Sequence, residues 1–359
     1  MSKPIVVTLD AGGTNFVFAA ICDGQPIGKS LTLPSSAHDL DKCLQTLVSG
    51  FEQVIESLPE PPVAISFAFP GPADYRNGII GGYLPNFPSF RDGVALGPML
   101  KQRFNIPVFI NNDADLFAYG EAMGGALPRI NKRLEEAGSS KRYRNLLGYT
   151  FGTGFGFGFV MDGKLNLGDN SCVETFCLKH RDYPQYIVED GVAIRAVKRV
   201  YRELSKDERE LEPRDIFNIA EGAMDGNAEA AKEAFATFGR VAGDAMATAV
   251  TLMDGLIVIG GGLSAASKYF MPALLDEMRQ KIGTMSGDEL NRVQMSVYNL
   301  DDKAEFQKFA KGSSRKIKVY GSDEEVVYDP EKRIGVTISD IGASNAVALG
   351  AYLYAIDNI

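Results

Sequence analysis

Asp10-Ala11-Gly12-Gly13-Thr14-Asn15 is the stretch on which the fold turns. It lies between two apolar runs, Ile5 to Leu9 and Phe16 to Cys22, that read as β-strands. The two glycines allow backbone conformations that side chains forbid. Their N–H groups can line a small anion-binding hollow, and the Thr14 hydroxyl adds a donor. Asp10, at the strand end, could hold Mg²⁺ through water, because that ion prefers carboxylates together with phosphates. A plain hairpin turn reads the same way. Two commoner phosphate motifs are excluded. A dinucleotide fingerprint needs a helix directly after its glycines, and here a strand follows. A Walker loop is missing too, since Gly28-Lys29-Ser30 lacks the leading glycine and Asp23 stands in its place.

The pattern recurs in the second half. Leu146 to Phe151 reads as a strand, Gly152-Thr153-Gly154 as a turn, and Phe155 to Met161 as a second strand closed by Asp162-Gly163. Glycines at 154, 156 and 158 leave one strand face bare, so a ligand or another backbone can sit close. Two such openings suggest a duplicated domain with a cleft between the copies, where ligands commonly bind. A third glycine cluster, Gly260-Gly261-Gly262, ends the apolar run Leu256 to Ile259 and suits a phosphate or nucleoside at a helix start, or simply a tight turn. Asn111-Asn112-Asp113-Ala114-Asp115 follows the strand-like run Ile106 to Ile110. Its residues can cap a helix, and Asp113 at a strand end can also take a proton from a hydroxyl.

Between these motifs, Leu40, Leu44, Leu47, Phe51, Val54 and Leu58 fall at helical spacing, capped by Ser35, Ser36 or Asp39. Lys29 to Leu33 and Val63 to Phe69 read as strands, and the pattern lapses from Gly124 to Arg144. A long helical region is expected from about 190 to 252, a strand-rich excursion over 291 to 339, and a closing helix over 343 to 356. His38 reads as a surface helix residue, and Lys311 to Lys318 as a solvated hairpin.

The chain has 359 residues, 45% hydrophobic and 23% charged, which is enough for two domains with a sizeable core. Its formal charge of −9 repels phosphate backbones and argues against nucleic acid as a partner. No apolar run reaches the roughly 18 residues a membrane span needs. Met1-Ser-Lys-Pro leads straight into the first strand, and the four cysteines do not form a disulfide framework, so a cytoplasmic protein is expected.

These motifs, in this order, resemble the ROK family of repressors, open reading frames and kinases over roughly Val6 to Leu353. The resemblance implies an α/β protein of the actin-like ATPase fold, with two ribonuclease-H-like domains and a cleft between them. The expected boundaries are 1–115 plus 343–359 for the phosphate and sugar domain, and 116–342 for the nucleotide and dimerisation domain. Asp10, Gly12, Gly13 and Thr14 match the family's phosphate loop, with Asn15 where Lys is common. Gly152, Thr153 and Gly154 match its second phosphate loop, and Gly260, Gly261 and Gly262 its adenosine-side loop. Asn86 of Pro85-Asn86, together with Asn112, matches sugar-binding positions, and Asp113 matches the catalytic base. The implied activity is ATP- and Mg²⁺-dependent phosphorylation of a hexose or N-acylhexosamine, at O6, by a homo-oligomer, with sugar and ATP as its small-molecule partners. The family's usual zinc element is missing. Cys172, Cys177 and His180 are read as unliganded, Glu174 takes the family's sugar-binding glutamate position, and Glu189 substitutes for a later one near Tyr186. A relative that binds sugar without turnover is the alternative. A regulator is disfavoured, since the phosphate loop starts at residue 10.

Overall fold

The computed structural model describes residues 3–359; Met1 and Ser2 lie outside the described residues. The first half begins with β1 (Ile5–Ala11), β2 (Asn15–Cys22) and β3 (Gln25–Pro34), an antiparallel meander in which Asp10 pairs with Val17 across the glycine bend. Next comes α1 (Leu40–Ser57), capped by Asp39, whose carboxylate accepts from the Lys42 N–H at 3.2 Å. His38 is exposed, but it lies in the turn ahead of this helix rather than within it. Then follow β4 (Ala64–Ala68), α2 (Leu96–Phe104) and β5 (Val108–Asn111). The sheet order is β3-β2-β1-β4-β5, with β4 and β5 parallel to β1.

Two helices lead onward, α3 (Asp113–Met123) and α4 (Ala126–Glu136). The second half repeats the opening: β6 (Leu146–Phe151), β7 (Phe155–Met161) and the short β8 (Lys164–Leu165) form another antiparallel meander. Three helices follow, α5 (Ile194–Ser205), α6 (Pro213–Ala220) and α7 (Ala228–Met253), then β9 (Leu256–Gly260) and α8 (Ser267–Met278). The chain continues through β10 (Ser296–Asn299), α9 (Lys303–Lys311), a hairpin of β11 (Arg315–Lys318) and β12 (Glu325–Tyr328), then β13 (Arg333–Ile338) and α10 (Ala343–Asn358). The second sheet runs β8-β7-β6-β9-β13-β10, so its first four positions repeat the order of the first sheet. That repetition is the internal symmetry that the two glycine bends announce.

Each sheet buries one large apolar layer, on α1 in the first half and on α5, α6, α7 and α8 in the second. The other face of the first sheet is covered by α10, whose Tyr352 and Ala355 pack with Val6, Ile21 and Ala64. Helix α10 also crosses α3 at two glycines. A methyl group on Gly120 would overlap the Ala346 carbonyl, and one on Gly350 would overlap the Leu116 carbonyl. Only glycine permits so close an approach. Among the described residues, no helix is long and apolar enough to cross a membrane.

Candidate active site

The first bend is fixed by its own backbone. Gly12 N–H donates to Asn15 O at 3.0 Å, and Ser35 N–H donates to Thr14 O at 2.9 Å. The Ser35 hydroxyl donates to Gly13 O at 2.6 Å. With these carbonyls tied inward, Gly12, Gly13, Thr14 and Asn15 stay exposed along the loop. Asn86 lies against it, since a methyl group on Gly13 would come within 3.1 Å of the Asn86 Cβ. The core sets this neighbourhood. Phe87 stacks on Phe16 with centroids 6.0 Å apart and planes 7° from parallel, so the residues beside each ring are held together.

Asn112 and Asp113 sit where β5 meets α3. The Asn112 side chain caps the helix, accepting from Ala114 N–H at 2.9 Å, and Asp113 Oδ1 accepts from the same N–H at 2.8 Å. Capping and an accessible carboxylate therefore coexist: Asn112 serves the helix end, and Asp113, which also accepts from Ala114 N–H, stays exposed. Burial pushes the Asp113 carboxyl above its ordinary value, the charge of Asp10 adds to this, and the Ala114 N–H opposes it. The side chain opens onto solvent although protein walls surround it, so the upward push is milder than in a sealed cavity.

Two more carboxyls crowd this floor. Burial, followed by the charges of Glu174 and Asp113, drives Asp115 well above its ordinary value. Glu174 is pushed up to about 8, first by burial and then by Asp113 and Glu189. The shift favours the protonated form of Glu174, which can donate as well as accept. Tyr75 borders the cluster and donates to Phe69 O at 2.9 Å.

The second bend lies beside α3 because of the alternating glycines. A methyl group on Gly156 would stand 2.9 Å from Ala114 Cβ, and one on Gly158 2.8 Å from Asp115 Cα. The bare face of β7 thus receives the first turn of the helix that carries Asp113. The bend itself is open at Gly152. Glu189 accepts from Phe155 N–H at 2.9 Å through Oε2, and from Arg195 Nη2 at 2.9 Å through Oε1. Arg195 Nη1 also donates to Thr153 O at 3.3 Å. The third glycine cluster joins the same place. Gly260 pairs with Thr150, and Gly261, at φ +91°, lies against the backbone of Phe151. Gly262 faces open space.

Of the sequence candidates, Asp10, Asp113 and Glu174 form a chain of neighbouring charges, Asn112 adjoins Asp113, and Asn86 lies against Gly13 in the bend with Gly12 and Thr14. Gly152, Thr153 and Gly154 adjoin Gly260, Gly261 and Gly262 through the Thr150–Gly260 pair and the contact of Gly261 with Phe151. Glu189 braces the second bend and also lies near Glu174. Cys172 and Cys177 are exposed, whereas His180 is buried against Gly191, its Nδ1 accepting from Asp182 N–H at 3.1 Å. Among the described residues, no group of three or more His, Cys, Asp or Glu side chains is placed to hold a metal ion. Sequence reading missed Arg195, and it took Ser35 only as a candidate helix cap, whereas its hydroxyl instead holds Gly13 O, 22 residues away. It also passed over Asp115 within a motif already singled out.

Two sheets of repeated order, each opened by a glycine bend, with Asp113 near Asp10 and its helix packed on the bare face of β7, define a phosphotransferase of the actin-like ATPase fold. A sequence model of the ROK family matches residues 6–175 and 185–304, and the chain belongs to that family. It is similar to the crystal structure of a glucokinase from Parabacteroides distasonis, with 57% identity and a TM-score of 0.93 over 100% of this chain and 99% of that one. It is 27% identical to the N-acetylgalactosamine kinase AgaK of Shewanella sp. (strain ANA-3) over 71% of this chain and 81% of that protein. A ROK glucokinase from Streptomyces griseus, solved with glucose and AMPPNP, shares the fold at a TM-score of 0.61 and 17% identity, with 98% of this chain and 99% of that one covered.

Proposed function

We propose that the chain is an ATP-dependent sugar kinase in which Asp113 activates the sugar hydroxyl. The observation that supports this best is the placement of Asp113 at the start of α3, within reach of the Asp10 charge on one side and packed on β7 below the second bend on the other. The acceptor is a hexose or N-acylhexosamine held by Asn86, Asn112 and Glu174, and the hydroxyl is that on C6. Asp113 takes the hydroxyl proton as the oxygen attacks the γ-phosphorus. A new O–P bond forms, the bond to the β-phosphate oxygen breaks, and ADP leaves. The N–H group of Gly13, with the hydroxyls of Thr14 and Thr153, faces the phosphate charge, while the Gly12 N–H holds the bend closed on Asn15 O, and Gly260 to Gly262 take the nucleoside side.

Asp10 is exposed at its strand end beside these donors, which suits a water-bridged Mg²⁺. Bound there, the ion would offset phosphate charge. Residues 1–115 with 343–359 form the phosphate and sugar half in this reading, 116–342 the nucleotide half, and the enzyme works in the cytoplasm. The test is ADP release over a panel of hexoses and N-acylhexosamines, run beside Asp113→Asn. Sugar-dependent turnover that survives the substitution removes Asp113 as the base. ATP binding without turnover on any sugar points to a relative that has lost catalysis.

A further inference from the structure

Between β8 and α5 the chain doubles back on itself over residues 176–189. Glu189 N–H donates to Phe176 O at 3.3 Å, Val188 N–H to Leu178 O at 2.7 Å, and His180 N–H to Tyr186 O at 2.9 Å. The feet of this narrow hairpin carry two glutamates of the site, Glu174 just ahead of the first arm and Glu189 at the end of the second. Near its feet the hairpin leans on the second core through Val173, Leu178 and Val188. Beyond His180, which is buried against Gly191, the turn from Arg181 to Tyr186 buries no apolar side chain. A polar turn with so little packing frays unless something ties it down.

Charge ties it down. Arg181 reaches from the turn to α8 and pairs with Glu277, a carboxylate only 2% exposed. The Arg181 Nε also meets Asp182 at 3.1 Å. Glu277 accepts further from Gln280 Nε2 at 3.0 Å and from Arg292 Nη1 at 3.5 Å. Arg292 Nη2 is held in turn by Asp244 of α7 at 2.6 Å. Phosphoryl transfer uses none of these groups. A buried ion pair adds little stability over an apolar contact of the same shape, but it admits far fewer geometries.

We propose that Arg181 is a positioning residue: docked on Glu277, it holds the hairpin in one place and thereby sets the affinity for sugar through Glu174. The role rests on the reading of Glu174 as a sugar ligand. Glu189 depends on it less, because Phe155 N–H and Arg195 hold that carboxylate independently. The effect therefore falls on the sugar and not on ATP.

Hydrogen exchange at the His180 and Val188 amides reads the anchor directly, and initial rates read its consequence. In Arg181→Met both amides should lose protection at least about 10-fold. The KM for sugar should rise about 10-fold while the KM for ATP moves less than about 2-fold. Arg181→Lys, which keeps a cation for Glu277, should bring the sugar KM back to within about 3-fold of native. The double variant Arg181→Met, Glu277→Gln leaves no buried carboxylate short of a partner, and Arg292 keeps Asp244. It should show the same split in KM with a melting temperature within about 2 °C of native. Arg292→Met strips Glu277 from its far side, spares the Arg181 pair, and should leave the sugar KM unchanged. Protection that survives Arg181→Met, a sugar KM that stays put once protection is lost, an equal rise for sugar and ATP, or a sugar KM raised as much by Arg292→Met overturns the role. A native chain that turns over no sugar removes the kinase reading and this role with it, whereas the exchange result decides the anchor by itself.

Discussion

Glu189 accepts a hydrogen bond from the backbone N–H of Phe155 at 2.9 Å, bridging 34 residues of chain to fix the shape of the second glycine bend. Its other oxygen is held by Arg195, which also reaches Thr153 O. The pair positions the bend rather than touching the reacting atoms. Arg195→Gln should therefore raise the KM for ATP about 10-fold while the KM for sugar changes little, by the loss of roughly one charge-assisted bond. Initial-rate kinetics with each substrate varied in turn reads the split. An equal rise in both constants would contradict the positioning role.

Removal of the proton acceptor should be more severe. Asp113→Asn should lower kcat by about 10²–10⁴-fold, with ATP binding retained. Burial and Asp10 raise the Asp113 carboxyl, and its ionised form is the active one. Turnover in the native enzyme should thus fall with decreasing pH along a limb lying above the ordinary aspartate range. Residual activity of the Asn variant should lack that limb.

Glu174 ties stability to pH. Its ordinary value of 4.5 applies to the unfolded chain, and the folded value is about 8. Between these limits the folded protein keeps a proton that the unfolded chain has lost, so stability declines as pH rises through that window. Glu174→Gln should flatten the slope and add about 1–2 kcal/mol at the alkaline end. Urea midpoints taken across the window measure it, and a slope that persists in the variant would assign the dependence to another group.

The α3–α10 crossing tolerates no side chain. Gly120→Ala or Gly350→Ala should destabilise the fold by more than about 2 kcal/mol, because each methyl group meets a backbone carbonyl that cannot rotate away. Gly138→Ala, with nothing near its methyl but a φ of +74°, separates backbone strain from overlap and should cost about 1 kcal/mol. Equal losses at the three positions would argue against close packing as the cause.

Chelation offers a different check. Excess EDTA should abolish turnover reversibly if Mg²⁺ accompanies ATP, yet shift the melting temperature by no more than about 1 °C, as no metal is assigned a part in folding. Unfolding on chelation would reveal a structural metal.

Much of this was legible beforehand where local chemistry dominates. The strands at Leu146–Phe151 and Phe155–Met161 have the bounds their apolar pattern gives, and Asp39 caps α1 as its type suggests. The helical region from 190 to 252 turned out to be three helices, with Pro213 opening the second and Asn227 capping the third. Helix α4 was hidden by its charge, although Ala126, Leu127, Ile130 and Leu134 form a buried stripe. The excursion over 291 to 339 concealed a central strand of the second sheet, because β13 opens with Arg333. That arginine is 3% exposed and donates to Phe309 O at 2.6 Å, and composition alone cannot distinguish such a buried, satisfied charge from a surface one. The bracing of the second bend by Glu189 and Arg195 left no local signature for the same reason: its partners meet only in the fold.

The first sheet has its far face closed by Tyr352 and Ala355 of the last helix. A ribosome that has delivered β1 to β5 must therefore deliver nearly everything else before that face can be shielded from water. During synthesis the nascent chain presents an oily, unfinished surface, a natural ligand for chaperones. Circular permutants that move this helix ahead of β1 should mature faster and depend less on such helpers.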